Sequence, residues 1–428
     1  MTGRTKCTLL AILLLGGALR FVGLAELPPG LHPDEAANAL EALSLRESGR
    51  STDGRFLPLV FDHHGGVDFV EGTYIWLSVP FVSLADVDVA IRIPAALAGT
   101  FAILATFFLG ARLGGTRLGL LAALLLAIEP WAVHHARFGE RPSLEPLLVA
   151  AGLALGLRGL DTRSRGVCVL GGLVLGLALV TYPPARVVVP LVATAFALSV
   201  AEDRVDGACF LVPIAIAGIA LAPFAFSERG LHHLHDIGVT SPGAVLYAYC
   251  LHFVPRTLFL GYEGQGFLPK GVGPLHVFEG PLVLFALVPA ARVKRYRFLV
   301  AWLAVFPLAS MFTEPAPNLL RAIFGLPLFA LLGALGIETL LQRVDPRKVA
   351  IVLSPLVLAS VVNAALLYVL VFPTTTSAWG PYVGERDAVS RMHGRVKLTR
   401  ANERVLVELY GRGRRHRWIA PDEVVFED

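Results

Sequence analysis

The chain has 428 residues, of which 55% are hydrophobic and only 16% are charged. A mean hydropathy of +0.65 leaves too little polar surface to cover one soluble core, and it excludes disorder as well. Four cysteines exclude a disulfide scaffold, and the net charge of +4 comes with no basic stripe interleaved with aromatics, which excludes nucleic acid as a partner. The composition therefore implies an all-α polytopic membrane protein.

A bilayer crossing takes about 20 apolar residues. Apolar runs predict about eleven transmembrane helices, at 7–25, 90–111, 117–134, 143–159, 166–182, 186–201, 207–226, 280–291, 298–313, 319–341 and 349–372. The first reads as an uncleaved helix, because Arg20 and Phe21 run on into apolar sequence without a small-residue cleavage site. If the N-terminus lies inside, thirteen basic residues fall in the inner loops and four in the short outer loops (Arg137, Arg141, Arg186 and Arg321). Residues 73–85 are apolar but too short to cross. They are expected to lie on the outer surface.

With this topology two long loops face outward, 26–89 and 227–279, beyond a membrane domain of residues 1–372. A small extracytoplasmic appendage follows at 373–428. Its alternating runs RVLVELY, HRWIAP and EVVFED point to β-structure. In the first loop Pro33 and Asp34 start a helix that Gly49 ends. Asp34 and Glu35 thus sit at a helix N-terminus at the membrane surface, with His32 alongside. They either complement the helix dipole or act as a carboxylate base or metal ligand.

The stretch FDHHGGVDFVEG gathers Asp62, His63, His64, Asp68 and Glu71, which is a divalent-metal candidate or simply a hydrated loop. Asp86 and Asp88 read as a solvated D-x-D. HHARFGERPSLEP holds His134, His135, Arg137, Glu140, Arg141 and Glu145, while Glu129 inside the preceding span is either functional or paired with an arginine from another helix. Arg186 and Arg321 stand where helices re-enter the membrane, to snorkel or to grip a lipid phosphate. In the second long loop, LHHLHD and LGYEGQGFLPKGVGP with Lys270 match no phosphate-loop pattern.

The order LRFVGLAELPPGLHPDEAANALEAL, then AIRIPAALAGTFAILATFFLGARLGGTRLGLLAALLLAIEPWAVHHARFGERPSLEPLL, then TYPPARVVVPL resembles the GT-C membrane glycosyltransferases. It is most similar to prokaryotic relatives of the protein O-mannosyltransferases and the lipid A aminoarabinose transferase. PAPNLLRAIFGLPLFALLGALGIETL looks like that family's C-terminal helices, so the resemblance covers about residues 7–342. It implies a polyprenyl-phosphate sugar donor, an extracytoplasmic site in a plasma membrane, and a first-loop acid as base: Asp34, paired with Glu35. It also implies juxtamembrane helices in the first loop, and a metal or donor contact at Glu71, where Gly72-Thr73 replace the family's usual basic and proline neighbours. Arg137 falls in the matching second outer loop, and Arg186 at a matching basic position.

The expected reaction is a single inverting displacement, with Asp34 taking the acceptor's proton and Arg137, Arg186 and Arg321 meeting the leaving phosphate. A divalent metal is a possible cofactor, with His32, His63, His64, Asp68 and Glu71 as candidate contacts. The acceptor is a protein, a lipid or a glycan. The competing readings are a transporter or flippase of a lipid-linked sugar, for which no internal repeat stands out, and a non-catalytic assembly factor on the same scaffold.

Overall fold

The computed structural model describes residues 2–63, 68–225, 238, 241–261, 268, 271–371, 389–398, 404–412, 414–420 and 422–426. Helices lie over all eleven segments expected to cross. Among the described residues four helical stretches are long and apolar enough to do so by length and composition: Val87–Gly114, Arg141–Thr162, Arg204–Ala225 and Pro346–Val371.

The main helices are α1 (Gly3–Phe21), α4 (Ile93–Gly114), α5 (Thr116–Ile128), α7 (Glu145–Thr162), α8 (Arg165–Thr181), α9 (Ala185–Val200), α10 (Arg204–Ala225), α11 (Pro242–Leu251), α12 (Glu279–Arg292), α13 (Arg297–Val305), α14 (Gly325–Leu341) and α15 (Pro346–Leu366). Several stop short of the expected runs for local reasons. The 117–134 run breaks at Glu129-Pro130 and resumes as the short α6 (Pro130–His135), because proline cannot continue the hydrogen-bond ladder. One apolar cluster spans α1, α4, α5, α7–α10 and α12–α14. Helices α7 and α8 cross at their glycines. A Cβ on Gly171 would stand 2.6 Å from the Gly156 nitrogen, so only hydrogen allows that approach.

The bundle has two unlike ends. At one, Arg295 and Arg112 meet Asp161, and Arg117 meets Glu338. At the other, α4, α7, α9 and α14 begin and α5 and α8 finish. This second end carries the site.

Between α1 and α4 the chain forms α2 (Pro33–Ser48), the hairpin β1 (Val60–His63) and β2 (Asp68–Glu71), and α3 (Thr73–Ser78) with a 3-10 turn at Phe81–Ser83. The bounds of α2 follow from its chemistry: Pro33 at the first turn, acids at the dipole's positive end, and Gly49 at φ +68, where a Cβ would be strained. Residues 73–85 are thus two short helical turns.

The appendage contains a three-stranded antiparallel sheet, ordered β3 (Gly394–Lys397), β5 (Glu423–Phe426), β4 (His416–Ala420). RVLVELY, however, is a helix, α16 (Arg404–Tyr410). Its Val405, Leu406 and Leu409 share one face and pack on Leu31, Ala36, Ala37 and Leu40 around α2. Tyr410 Oη lies 3.0 Å from Asp88 Oδ1, and Arg412 pairs with Glu47 at 2.5 Å.

Candidate functional site

The N-terminus of α2 brings together the groups that matter most. His32 caps the helix. Its Nδ1 accepts from the Asp34 backbone N–H at 3.3 Å, while the His32 backbone N–H donates to Glu35 Oε2 at 3.0 Å. This capping box fixes the direction in which Asp34 leaves the helix. The Asp34 side chain is 42% exposed. His32 Nδ1 lies 3.4 Å from Asp34 Oδ2 and 3.6 Å from Glu140 Oε1.

Glu35 faces the other way and is fully buried. Arg92 Nε and Nη2 donate to its two oxygens at 2.9 and 3.1 Å, and the Gly139 N–H adds a third bond at 2.8 Å. Arg92 also grips the carbonyls of Leu24, Pro28 and Gly30. Glu35 therefore locks α2 to the start of α4 and to the loop after α6, leaving Asp34 as the accessible acid of the pair.

Glu140 comes from that same loop. Burial, then the charges of Asp34 and Glu35, push its carboxyl well above the ordinary value; Arg141 opposes this, and a hydrogen bond to Asp34 adds to it. A buried acid beside another acid keeps its proton until a cation replaces it. Nδ1 of His32 and one carboxylate oxygen each of Asp34 and Glu140 lie within 4.8 Å of one another. Ligands at about 2.1 Å on a tetrahedral ion stand roughly 3.4 Å apart, and an N,O,O donor set suits zinc or manganese. The three residues could hold a divalent metal once the His32 Nδ1 lone pair leaves the Asp34 N–H.

Of the expected metal set around Asp62–Glu71, the described side chains of Asp62, His63 and Glu71 do not share one face. The hairpin pairs Val60 with Glu71 and Asp62 with Phe69, while the buried His63 alternates to the opposite face with Phe61. Asp62 meets Arg55 at 3.2 Å. His64 and the side chain of Asp68 lie outside the described residues, as do LHHLHD and Lys270.

Glu71 sits between two arginines instead. One oxygen accepts from Arg141 Nη1 and the other from Arg186 Nη2. Arg141 stacks over Tyr182 at 5.7 Å, and Tyr182 also lies within the field of Arg321. Arg321 Nη1 donates to Thr313 Oγ1 at 2.8 Å. At the bundle's site end Arg141 and Arg186 thus hold Glu71, and Arg141 and Arg321 flank Tyr182.

Arg137 is not part of this group. It is 3% exposed and donates to the carbonyls of Leu19, Val22, Gly23 and Leu27, with Tyr368 as a further partner. Four guanidinium bonds thereby hold the carbonyls at and just beyond the α1 C-terminus. A sequence scan sees an arginine between two spans and has no means to tell this clamp from a ligand. Arg20, also buried, donates to the carbonyls of Gly16, Leu126 and Ala127 within the field of Glu129, which gives Glu129 its arginine from another helix. Sequence reasoning passed over Arg92, Arg141 and Glu140 as site groups. Their partners lie 57 to 108 positions away, and only the fold brings them together.

Comparisons with known proteins agree on the architecture. Residues 73–227 match the family described as dolichyl-phosphate-mannose-protein mannosyltransferase. The fold is similar to the Archaeoglobus fulgidus oligosaccharyltransferase in complex with zinc and sulfate (TM-score 0.55, 14% identity, 90% of this chain and 55% of that one). It is similar to AglB from the same organism in complex with an inhibitory peptide and a dolichol-phosphate (0.53, 12%, 91% and 57%). It is also similar to ArnT from Cupriavidus metallidurans bound to undecaprenyl phosphate (0.53, 19%, 85% and 64%). The chain thus spans between half and two thirds of each of these structures. No curated protein matches it in sequence. The fold is that of the GT-C membrane glycosyltransferases.

Proposed function

We propose that this protein is a membrane glycosyltransferase that moves a sugar from a polyprenyl-phosphate donor to an acceptor on the extracytoplasmic face of a plasma membrane. Residues 1–372, crossing about eleven times, form the transferase unit, and 373–428 form an appendage that braces α2. The observation that carries the reading is the convergence at one end of the bundle: a part-exposed acid, Asp34, on a helix held by a buried lock, with Arg141 and Arg186 on Glu71 and Arg321 beside Tyr182.

Asp34 takes the proton of the acceptor hydroxyl as its oxygen bonds to the anomeric carbon. The carbon–phosphate oxygen bond breaks on the opposite face, so configuration inverts. The phosphate leaves with growing negative charge and its tail stays in the bilayer. Arg141, Arg186 and Arg321 meet that charge, and their fixed positions make this stabilisation large in a partly dry site. Glu71 holds Arg141 and Arg186 apart until the donor arrives. A divalent ion held by His32, Asp34 and Glu140 would supply positive charge beside the base and the donor. Glu35 and Arg137 keep the frame rigid.

The test is purified protein in lipid vesicles with a radiolabelled polyprenyl-phosphate sugar and a membrane extract. Transfer of label to an acceptor is expected. Translocation of the lipid-linked sugar without transfer would assign a flippase instead, and neither outcome a non-catalytic assembly factor.

A further inference from the structure

The segment between α2 and β1 turns its apolar side chains outward. Phe56, Leu57 and Leu59 are 65, 49 and 81% exposed, an unusual set for three residues in four. Leu57 sits at φ +44, a region that L side chains with bulk at Cβ avoid, so the display is imposed by the surrounding bonds. Those bonds are specific. Leu57 N–H donates to Gly49 O at 3.0 Å, Gly72 N–H to Leu59 O at 2.8 Å, and Trp76 Nε1 to Pro58 O at 2.9 Å. Phe56 rests on Gly49 with the Arg50 guanidinium 5.7 Å above its ring.

The height of the segment follows from the same contacts. Gly72 is followed by Thr73, whose Oγ1 reaches Val180 O at 3.4 Å, one residue from the end of α8. Gly72 is preceded by Glu71, which pairs with Arg186 in the first turn of α9. Leu59 therefore hangs level with the ends of two helices of the bundle. The chain after Trp76 continues with Leu77 and Leu84, 47 and 76% exposed. Apolar surface at the end of a membrane bundle, with an indole and an arginine beside it, has the composition of a lipid interface.

We propose that residues 56–59, continued by Leu77 and Leu84, form a foot that enters the boundary between lipid headgroups and acyl chains and fastens the C-terminal end of α2 to the bilayer surface. The foot is joined to α2 through Gly49 and through Thr52, which binds Glu41 with both its N–H and its hydroxyl. It thereby fixes, relative to the lipid, the helix whose other end carries Asp34. The proposal rests on the chain lying in a bilayer and not on the transfer chemistry, so it can fail while the enzyme reading stands.

The experiment places a nitroxide on Leu59→Cys in the full chain with Cys7, Cys168, Cys209 and Cys250 changed to Ala, reconstituted in phospholipid bilayers. Ile351→Cys, on the 73% exposed face of α15, is the lipid reference, and Arg415→Cys, on the appendage, is the water reference. Thermal unfolding confirms that each variant folds. The Leu59 label is expected to collide several-fold less with a water-soluble nickel complex than the Arg415 label, and to respond to oxygen as the Ile351 label does. Nickel accessibility equal to that at Arg415 would overturn the proposal. So would protection that appears only when a membrane extract is added, which would give the surface to a macromolecular acceptor.

Discussion

Glu35 and Arg92 form a two-bonded ion pair with neither side chain exposed, at 2.9 and 3.1 Å, directly behind the exposed Asp34. Two adjacent acids of one helix turn are thereby divided between holding and reacting. Asp34→Asn is expected to lower transfer by about 10²–10⁴-fold with thermal unfolding unchanged, since it removes a base and no packing. Glu35→Gln leaves the Arg92 charge buried without its counter-charge, a loss of about 3–5 kcal/mol that shows as an early melt. Melting curves and rates on both variants settle the division. A Glu35→Gln protein that melts normally yet transfers nothing would reverse the roles.

Glu140 makes the site sensitive to pH. Its folded-state carboxyl titrates well above the ordinary 4.5, chiefly through burial and the charges of Asp34 and Glu35. Between 4.5 and the folded value the native protein holds a proton that the unfolded chain has released. Stability of the metal-free protein is therefore fully present below 4.5 and declines as pH rises through that window, by about 1.4 kcal/mol per unit. A divalent ion reverses the trend, because it takes the proton's place. Melts in chelator across pH should slope downward, added manganese or zinc should stabilise more at high pH than at low, and Glu140→Gln should flatten both curves.

The arginines separate in the same way. Arg186→Gln removes a charged donor from the group around Glu71. If that group receives the donor phosphate, the loss is about 1.5–3 kcal/mol, or roughly 10–100-fold in the donor KM. Arg137→Gln instead frees backbone carbonyls at the end of α1, so its cost is expected in stability, with the donor KM of the surviving protein unchanged. Donor titrations at saturating acceptor distinguish the two. An Arg137 variant with normal stability and a raised KM would return it to the phosphate site.

How much of this was legible in the sequence depends on the range of the interactions. The start and end of α2 were readable because Pro33, the acids of the first turn and Gly49 act within a few residues. The place of Asp34 in the first turn was readable for the same reason. The lock behind it was not, since Arg92 is 57 positions from Glu35 and reads as one more basic residue at a span. The cluster from Asp62 to Glu71 reads in sequence as one group because a strand's alternation, which sets His63 on the face opposite Asp62 and Glu71, is invisible until the register is known. RVLVELY alternates like a strand, yet Val405, Leu406 and Leu409 find an apolar wall in α2, and tertiary burial prevails over local pattern.

That docking leads to a last prediction. Leu406 is 1% exposed and lies where α16 meets α2, so Leu406→Asp places a charge in an apolar seam and should release the appendage. Tyr410→Phe removes the bond to Asp88, worth about 1 kcal/mol, and should leave the appendage bound. With α16 gone, Ala36, Ala37 and Leu40 lose part of their cover, and α2 keeps its Arg92 lock, the Asn38–Gly139 bond and its hairpin side. Transfer by the Leu406→Asp protein is expected to fall although Asp34 is intact and the helical bundle remains inserted. Limited proteolysis reads the release directly, as faster cleavage of the appendage in this variant than in wild type or Tyr410→Phe. Rapid cleavage together with an undiminished rate would show that the brace on α2 is dispensable for the chemistry.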